Sequence, residues 1–263
     1  MKKNILFMLV TGTFIFCLVY LAEATPIITN GLVAAYEFNG NANDLVGSNH
    51  GTVSGASLTA DRYGNPNSAY FFDGINDYIA INPVFNSEQV NLTYSAWVNM
   101  YIERGSIYVE CESWGSTRNY FHIGDEFVFD QYPSSIPGNA TVDADLSDHR
   151  NEWMNFSLVK DGNKIHGYLD GVFLGTANYI ERYTGSPSTI AAIGNRIIGG
   201  TWDHHLYNYA FYGIIDDLYI YNRALTAAEI QQIASPVPEP GTIFLIGIGM
   251  AALVGIRIRR KML

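Results

Sequence analysis

The sequence predicts an all-β fold, a two-sheet antiparallel sandwich or jelly roll with one short helix near its C-terminal end. Strand-like runs rich in aromatic and β-branched residues recur at short intervals, with Asp-Gly turns between several of them. The chain of 263 residues is 48% hydrophobic and 14% aromatic, but only 15% charged. About a quarter of residues are charged in ordinary soluble domains, so this composition favours a β-rich exported protein.

The elements follow in chain order with no long linker between them. Predicted strands cover residues 31–38, 70–72, 77–81, 92–100, 106–114, 120–123, 126–132, 153–160, 164–169, 172–176, 189–194 and 211–221. Asp170-Gly171 between two of these runs is a strong hairpin signal. The helix is predicted from the capping box Thr226-Ala-Ala-Glu229, which precedes an apolar pair. One β domain over residues 25–236 is the simplest organisation.

Charge separates this body from both ends of the chain. Six of the 15 Lys and Arg residues, but only two of the 25 Asp and Glu residues, lie outside residues 25–236, which leaves that segment 14 charges negative. An acidic body of this kind disfavours nucleic acid as a partner.

The N-terminal end has the pattern of a secretory signal peptide. Two lysines are followed by an apolar run over 5–21, and Ala22-Glu23-Ala24 is an A-x-A cleavage site. Residues 1–24 are therefore predicted to be removed, although an uncleaved anchor is an alternative. Removal also takes Cys17, so Cys111 would be alone and no intramolecular disulfide could form.

The C-terminal end has the order of a sorting signal. Pro238, Glu239 and Pro240 precede an apolar run over 241–256, and a basic cluster follows at 257–261. Such a run halts in the bilayer while the basic residues stay cytoplasmic. It is shorter than the roughly 20 residues of a stable span, which suits a transient transmembrane anchor.

This tail, over 237–263, resembles the PEP-CTERM sorting signals of exported proteins in exopolysaccharide-producing Gram-negative bacteria. The resemblance implies that the membrane protease exosortase recognises Pro238-Glu239-Pro240 and removes the anchor. It also implies a secreted or cell-surface location.

The body carries an ordered set of motifs. These begin with Gly31-Leu-Val-Ala-Ala-Tyr-Glu-Phe and continue through Phe72-Asp-Gly, Ser95-Ala-Trp97 and Trp153-Met-Asn-Phe to Ile215-Asp-Asp-Leu-Tyr-Ile-Tyr-Asn-Arg-Ala-Leu. Together they resemble the LamG-like jelly-roll group of concanavalin A-like lectins and glucanases, over about residues 31–234. The stretch from 101 to 150 contributes little to the resemblance.

Catalysis is not predicted. Some enzymes with this fold cleave β-glucans with a Glu-x-Asp-x-x-Glu strand motif, whose alternate residues share one face. Glu110-Cys-Glu112 is the nearest pattern, but it lacks the middle Asp and the third Glu. Both carboxylates are interpreted as solvated or loop side chains, and the protein as a non-enzyme.

A structural calcium ion is a possible cofactor. Alternation along 215–220 places Asp216 on the same face as Leu218 and Ile220, which predicts that it points inward while Asp217 points outward. A buried carboxylate needs a partner, and none is evident on that strand face. The family resemblance suggests Asp44 and Asp216 as calcium ligands. The alternative is that Asp216 is a hydrogen-bonded core acid and Asp44 an Asx-turn residue.

A glycan surface is predicted from aromatic side chains near polar ones. The segment 199–209 is rich in both, and Trp202, Tyr207 and Trp114 are candidates for stacking on sugar rings; the alternative is that they fill the core. The preferred hypothesis is an exported carbohydrate-binding or adhesive module at the envelope or in the exopolysaccharide matrix. A polysaccharide-cleaving enzyme and a structural matrix protein are the alternatives.

Overall fold

The structure is a computed structural model that describes residues 27–85, 89–111, 117–123, 126–129, 140–143, 146, 149–178, 190–195, 197–198, 201–202 and 210–235. Residues 27–236 make one compact unit. The predicted signal peptide and sorting tail lie outside the described residues, so their boundaries stay predictions. No helix in the described part of the chain has the length and apolar character needed to cross a bilayer.

The described residues form strands and one short helix. In chain order these are β1 (Leu32–Tyr36), β2 (Thr52–Ser54), β3 (Ser57–Thr59), β4 (Ala69–Asp73), β5 (Tyr78–Ile81), β6 (Asn91–Met100), β7 (Gly105–Cys111), β8 (Thr117–Ile123), β9 (Glu126–Phe129), β10 (Ala140–Asp143), β11 (Trp153–Asp161), β12 (Lys164–Leu169), β13 (Val172–Asn178), β14 (Ile190–Ile193), β15 (Ile197–Ile198), β16 (Thr201–Trp202), β17 (Tyr212–Tyr221) and α1 (Ala227–Ile233).

The strands pair into two large antiparallel sheets. The larger sheet has the order β13-β12-β11-β6-β17-β4-β3, with β1 also paired to β17. The smaller sheet has the order β10-β9-β8-β7-β14-β5-β2, and β15 and β16 form a separate ribbon. This arrangement confirms the predicted all-β sandwich, and the β12–β13 hairpin closes at Asp170-Gly171 as predicted.

The core lies between the inner faces of the two sheets. Alternate residues of each strand point into it, as the pleat requires; on β6 these include Tyr94, Ala96 and Val98. Tyr94 packs against Tyr108 and Phe121 of the opposite sheet, at ring centroid distances of 5.2 and 5.8 Å. Large aromatic residues from both sheets therefore fill the interior.

Helix α1 covers part of the outer face of the larger sheet. Ile230 of the helix packs in a second apolar cluster with Tyr219 and Tyr221 of β17. The predicted capping box is present, because the Thr226 hydroxyl accepts a hydrogen bond from the Glu229 N–H while the Glu229 carboxylate accepts one from the Thr226 N–H. The helix therefore leaves the rest of this outer face uncovered by its apolar cluster.

Candidate functional site

The side chains predicted to contact sugar are not placed by the structure. Trp114 and Tyr207 lie outside the described residues. Trp202 lies on β16, where its backbone pairs with Ile197 of β15, but its side chain is outside the described part. Their assignment to a glycan surface stays a prediction.

Glu110 is buried in the core, so its interpretation as a solvated or loop carboxylate is wrong. Its exposed fraction is 0%. One carboxylate oxygen, Oε1, accepts hydrogen bonds from the N–H groups of Val84 and Phe85 at 2.6 and 3.0 Å and from the Tyr108 hydroxyl. Burial, together with the negative charge of Glu110, raises the pKa of that hydroxyl well above its usual value. Glu110 therefore anchors the chain after β5 to β7 and is not accessible to a substrate.

Asp44 fastens the loop after β1 to the strand itself. Its Oδ1 accepts hydrogen bonds from the N–H groups of Ala35 and Val46 at 3.2 and 3.0 Å, and its Oδ2 accepts one from Asn49 at 3.3 Å. Three backbone donors compensate the buried carboxylate, which agrees with the Asx-turn alternative.

Asp216 lies on the outer face of the larger sheet, and the prediction that it points inward is wrong. Asp217 has a φ of +47°, and the register of β17 against β6 shifts between Asp216 and Tyr219. This is a β-bulge, in which one extra residue changes the alternation of side chains along the strand. Leu218 returns to the core, while Asp216 lies beside its cross-strand partner Trp97.

Arg62 pairs with both acids of the bulge. β17 pairs with β4 on one side of the bulge and with β1 on the other, and Arg62 reaches this junction from the loop between β3 and β4. Its Nη1 lies 2.7 Å from Oδ2 of Asp216 and 2.7 Å from Oδ2 of Asp217. The guanidinium also stacks on Trp97, 4.7 Å from the ring centroid. No local pattern indicated this partner, because Arg62 is 154 residues away from Asp216 along the chain.

One guanidinium in this Arg62 cluster (Arg62, Asp216, Asp217 and Trp97) serves two carboxylates. Burial and the charge of Asp217 raise the pKa of Asp216 to about 8, although Arg62 acts in the opposite direction. Burial also raises the pKa of Asp217. The cluster therefore holds a proton more readily than exposed aspartates do.

The described contacts of Asp44 and Asp216 fit a shared calcium ion poorly. Three backbone N–H groups already donate hydrogen bonds to the carboxylate of Asp44, and Arg62 already pairs with the carboxylate of Asp216. Calcium takes six to eight oxygen ligands, and the described part of the chain contains no group of three or more His, Cys, Asp or Glu side chains able to hold a metal. Calcium binding by this pair stays a prediction for experiment.

Three aromatic rings meet on the outer face of the larger sheet, at the end of β17 away from the helix. We call Phe71 of β4, Tyr101 after β6 and Tyr212 of β17 the aromatic cluster. Centroid distances are 5.9 Å between Phe71 and Tyr101, 6.2 Å between Phe71 and Tyr212, and 5.1 Å between the tyrosines. Tyr212 is 36% exposed, and the other two are half-buried. Sequence reasoning missed this cluster, since the run Tyr-Phe-Phe at 70–72 does not show which ring faces out.

Comparisons with known proteins agree with the fold and with the tail. A model of the concanavalin A-like lectin/glucanases superfamily matches residues 73–231. A model of the PEP-CTERM protein-sorting motif matches residues 236–261. A search of curated proteins found no match.

Solved structures with a similar fold include domain 4 of AbnA, an extracellular arabinanase from Geobacillus stearothermophilus, in complex with arabinotriose. It is 18% identical, with a TM-score of 0.54 over 78% of this chain and 98% of that one. The receptor binding domain of botulinum neurotoxin D is 13% identical, with a TM-score of 0.57 over 78% of this chain and 52% of that one. A botulinum neurotoxin type C structure, whose cell entry depends on two ganglioside molecules, is 15% identical, with a TM-score of 0.58 over 78% and 50%. The chain spans about half of each toxin structure, and at these identities the likeness shows the fold alone.

Proposed function

Because the chain belongs to the concanavalin A-like lectin/glucanase superfamily and ends in a PEP-CTERM sorting motif, we propose that it is a non-enzymatic carbohydrate-binding or adhesive module. The sorting motif marks it as an exported, envelope-associated bacterial protein. In the proposed route, exosortase cuts near Pro238-Glu239-Pro240, and the transient inner-membrane anchor is lost. The acidic body then acts at the cell surface or in the exopolysaccharide matrix of a Gram-negative cell.

The observation that best supports this proposal is that one chain combines a lectin-like β-sandwich with a sorting motif for export to the envelope. Two proteins of similar fold interact with carbohydrate-containing ligands: the arabinanase domain is in complex with arabinotriose, and the cell entry of the type C toxin depends on gangliosides. Fold alone does not prove function, so the ligand has to be shown by binding. Trp202, Tyr207 and Trp114 stay proposed contacts from the sequence.

The burial of Glu110 favours binding over hydrolysis. In this superfamily, which also includes glucanases, a catalytic carboxylate must reach the sugar. Glu110 accepts three hydrogen bonds inside the core, so this strand acid cannot act on a substrate.

A glycan-array screen of the purified protein tests the proposal. We expect micromolar to millimolar binding, about −8 to −4 kcal/mol, because a shallow surface buries few atoms. Hydrolysis of the bound polysaccharides is measured in parallel with the wild type and with Glu110→Gln. Release of reducing ends by the wild type would establish an enzyme, and the absence of binding to every glycan would favour a structural matrix protein.

A further inference from the structure

The aromatic cluster of Phe71, Tyr101 and Tyr212 is a partly exposed aromatic surface on the outer face of the larger sheet. Farther along β17, Tyr219 and Tyr221 pack in the apolar cluster with Ile230 of helix α1 and are 8% and 0% exposed. Tyr212, on the same strand, is 36% exposed, and Ile75 in the adjoining turn is 56% exposed. Contiguous exposed apolar groups with a polar border mark interaction sites.

We propose that the aromatic cluster binds a neutral sugar chain, with the C–H face of a sugar ring stacked on Tyr101 and Tyr212. The inference rests on the proposed carbohydrate-binding function and adds to it a surface and a ligand class. The hydroxyls of both tyrosines make no hydrogen bond within the protein in the described part of the chain, so they can bond to sugar hydroxyls at the edge of the rings. An apolar ring with a polar tip suits a ligand whose faces are apolar and whose rim is polar.

The backbone holds the two tyrosines in place before any ligand arrives. The Tyr101 N–H donates to the Tyr212 carbonyl at 2.9 Å. Gly74, in the turn after β4, lies so close that a Cβ there would come within 2.7 Å of the Tyr212 Cβ. Tyr212 therefore lies on strand backbone against a tight turn, and a backbone hydrogen bond ties Tyr101 to it, which reduces the ordering that binding requires.

Charge decides between neutral and anionic polysaccharides. Residues 25–236 carry 14 net negative charges, which repel an anionic polymer. Two residues after Tyr101, Glu103 pairs with Arg150 by two hydrogen bonds of 2.5 and 2.7 Å, which compensates the charge of that arginine. Asp73, the cross-strand neighbour of Tyr212, adds a further acid. The surface therefore fits an uncharged chain.

Affinity electrophoresis of the purified protein tests this assignment. Gels contain soluble arabinan, a mixed-linkage β-glucan or galactomannan as neutral probes, and alginate as the anionic probe. We expect retardation by at least one neutral probe and none by alginate. Tyr212→Ala and Tyr101→Ala should each weaken that retardation about tenfold, and Tyr212→Phe should weaken it less, because it keeps the ring.

Phe173→Ala is the matched control, since Phe173 is a 53% exposed ring on β13, on another strand of the same sheet. It should bind as the wild type does. Tyr212→Ala keeps the Cβ that contacts the Gly74 turn, so its melting temperature should stay close to that of the wild type.

Two results would overturn the inference. If neutral polysaccharides bind and the Tyr101→Ala, Tyr212→Ala double variant binds as well as the wild type, the site lies elsewhere while the proposed function stands; loss of binding in Trp202→Ala alone would place it in the segment 199–209. If no neutral or anionic polysaccharide binds the wild type, the proposed function fails, and this inference fails with it.

Discussion

Replacement of Arg62 by Met should destabilise the domain substantially. The change keeps the length of the apolar stem and removes the guanidinium, which leaves Asp216 and Asp217 beside one another without a cation. Their side chains are only 4% and 16% exposed, and that of Arg62 is 14% exposed. Removal of one partner from a buried ion pair costs about 3–5 kcal/mol. We expect the lower end, about 3 kcal/mol, because a carboxylate of raised pKa can take up a proton.

Thermal unfolding at pH 7, followed by circular dichroism, measures this effect. For a domain of about 200 residues each kcal/mol shifts the melting temperature by roughly 2–4 °C, so Arg62→Met should melt about 6–12 °C below the wild type. Arg150→Met is the control, because it removes an arginine whose ion pair with Glu103 is at the surface, where the Arg150 side chain is 54% exposed. Solvent screens surface pairs, which therefore contribute little to stability, so that variant should melt within a few degrees of the wild type.

The pH dependence follows from the direction of the Asp216 pKa. The pKa rises from 3.8 in the unfolded chain to about 8 in the fold, so the folded state binds this proton more tightly. The stabilisation is present below the unfolded pKa and is lost as pH rises through the folded pKa. The free energy of unfolding should therefore fall between pH 5 and pH 8, and Asp216→Asn should flatten that slope. Equal melting of Arg62→Met and wild type at pH 7, or a slope that Asp216→Asn leaves unchanged, would refute this account of the cluster.

Four further outcomes are expected. Glu110→Ala should cost at least about 4 kcal/mol in urea unfolding, because three buried donors lose their acceptor, whereas Glu110→Gln keeps Oε1 and should cost clearly less; equal costs would show that the acceptor is unimportant. Thr226→Ala should cost about 1 kcal/mol through loss of the helix cap, and an unchanged denaturation midpoint would contradict this. Alanine at 238–240 should leave a full-length membrane form in a host with exosortase, and intact mass showing normal removal of the tail would rule the motif out. Calcium binding by Asp44 and Asp216 should raise the melting temperature of chelator-treated protein by several degrees, and Asp44→Ala should abolish that rise; an unchanged melting curve would leave Arg62 as the partner of Asp216.

The local patterns of the sequence predicted the local structure well. Asp170-Gly171 predicted a hairpin and the structure has it, because a two-residue turn and its flanking strands depend only on neighbouring residues. The capping box at Thr226 and Glu229 is present for the same reason. The short strands β2 and β3 were not predicted, since three residues carry too little periodicity to be recognised.

The candidate site depended on contacts that no local pattern contains. Strict alternation failed at Asp216, because it assumes a continuous ladder, and the bulge at Asp217 lies where β17 passes from one partner strand to another. Arg62 is supplied by a loop far away in the sequence. The interpretation of Glu110 as solvated was wrong because the sequence does not show that the N–H groups of residues 84 and 85 donate to it in the core.

These contacts also bear on the proposed sugar site, which lies on the outer face of the larger sheet. In the interior, Glu110 is already satisfied by protein donors and is wholly inaccessible. On the outer face, helix α1 covers one end of β17, and in the middle of that strand Arg62 already pairs with Asp216 and Asp217. At the remaining end, Tyr101 and Tyr212 present partly exposed rings on rigid backbone. A weakly bound sugar can stack on these partly exposed rings and hydrogen-bond to their hydroxyls. It does so without displacing any contact within the described part of the protein.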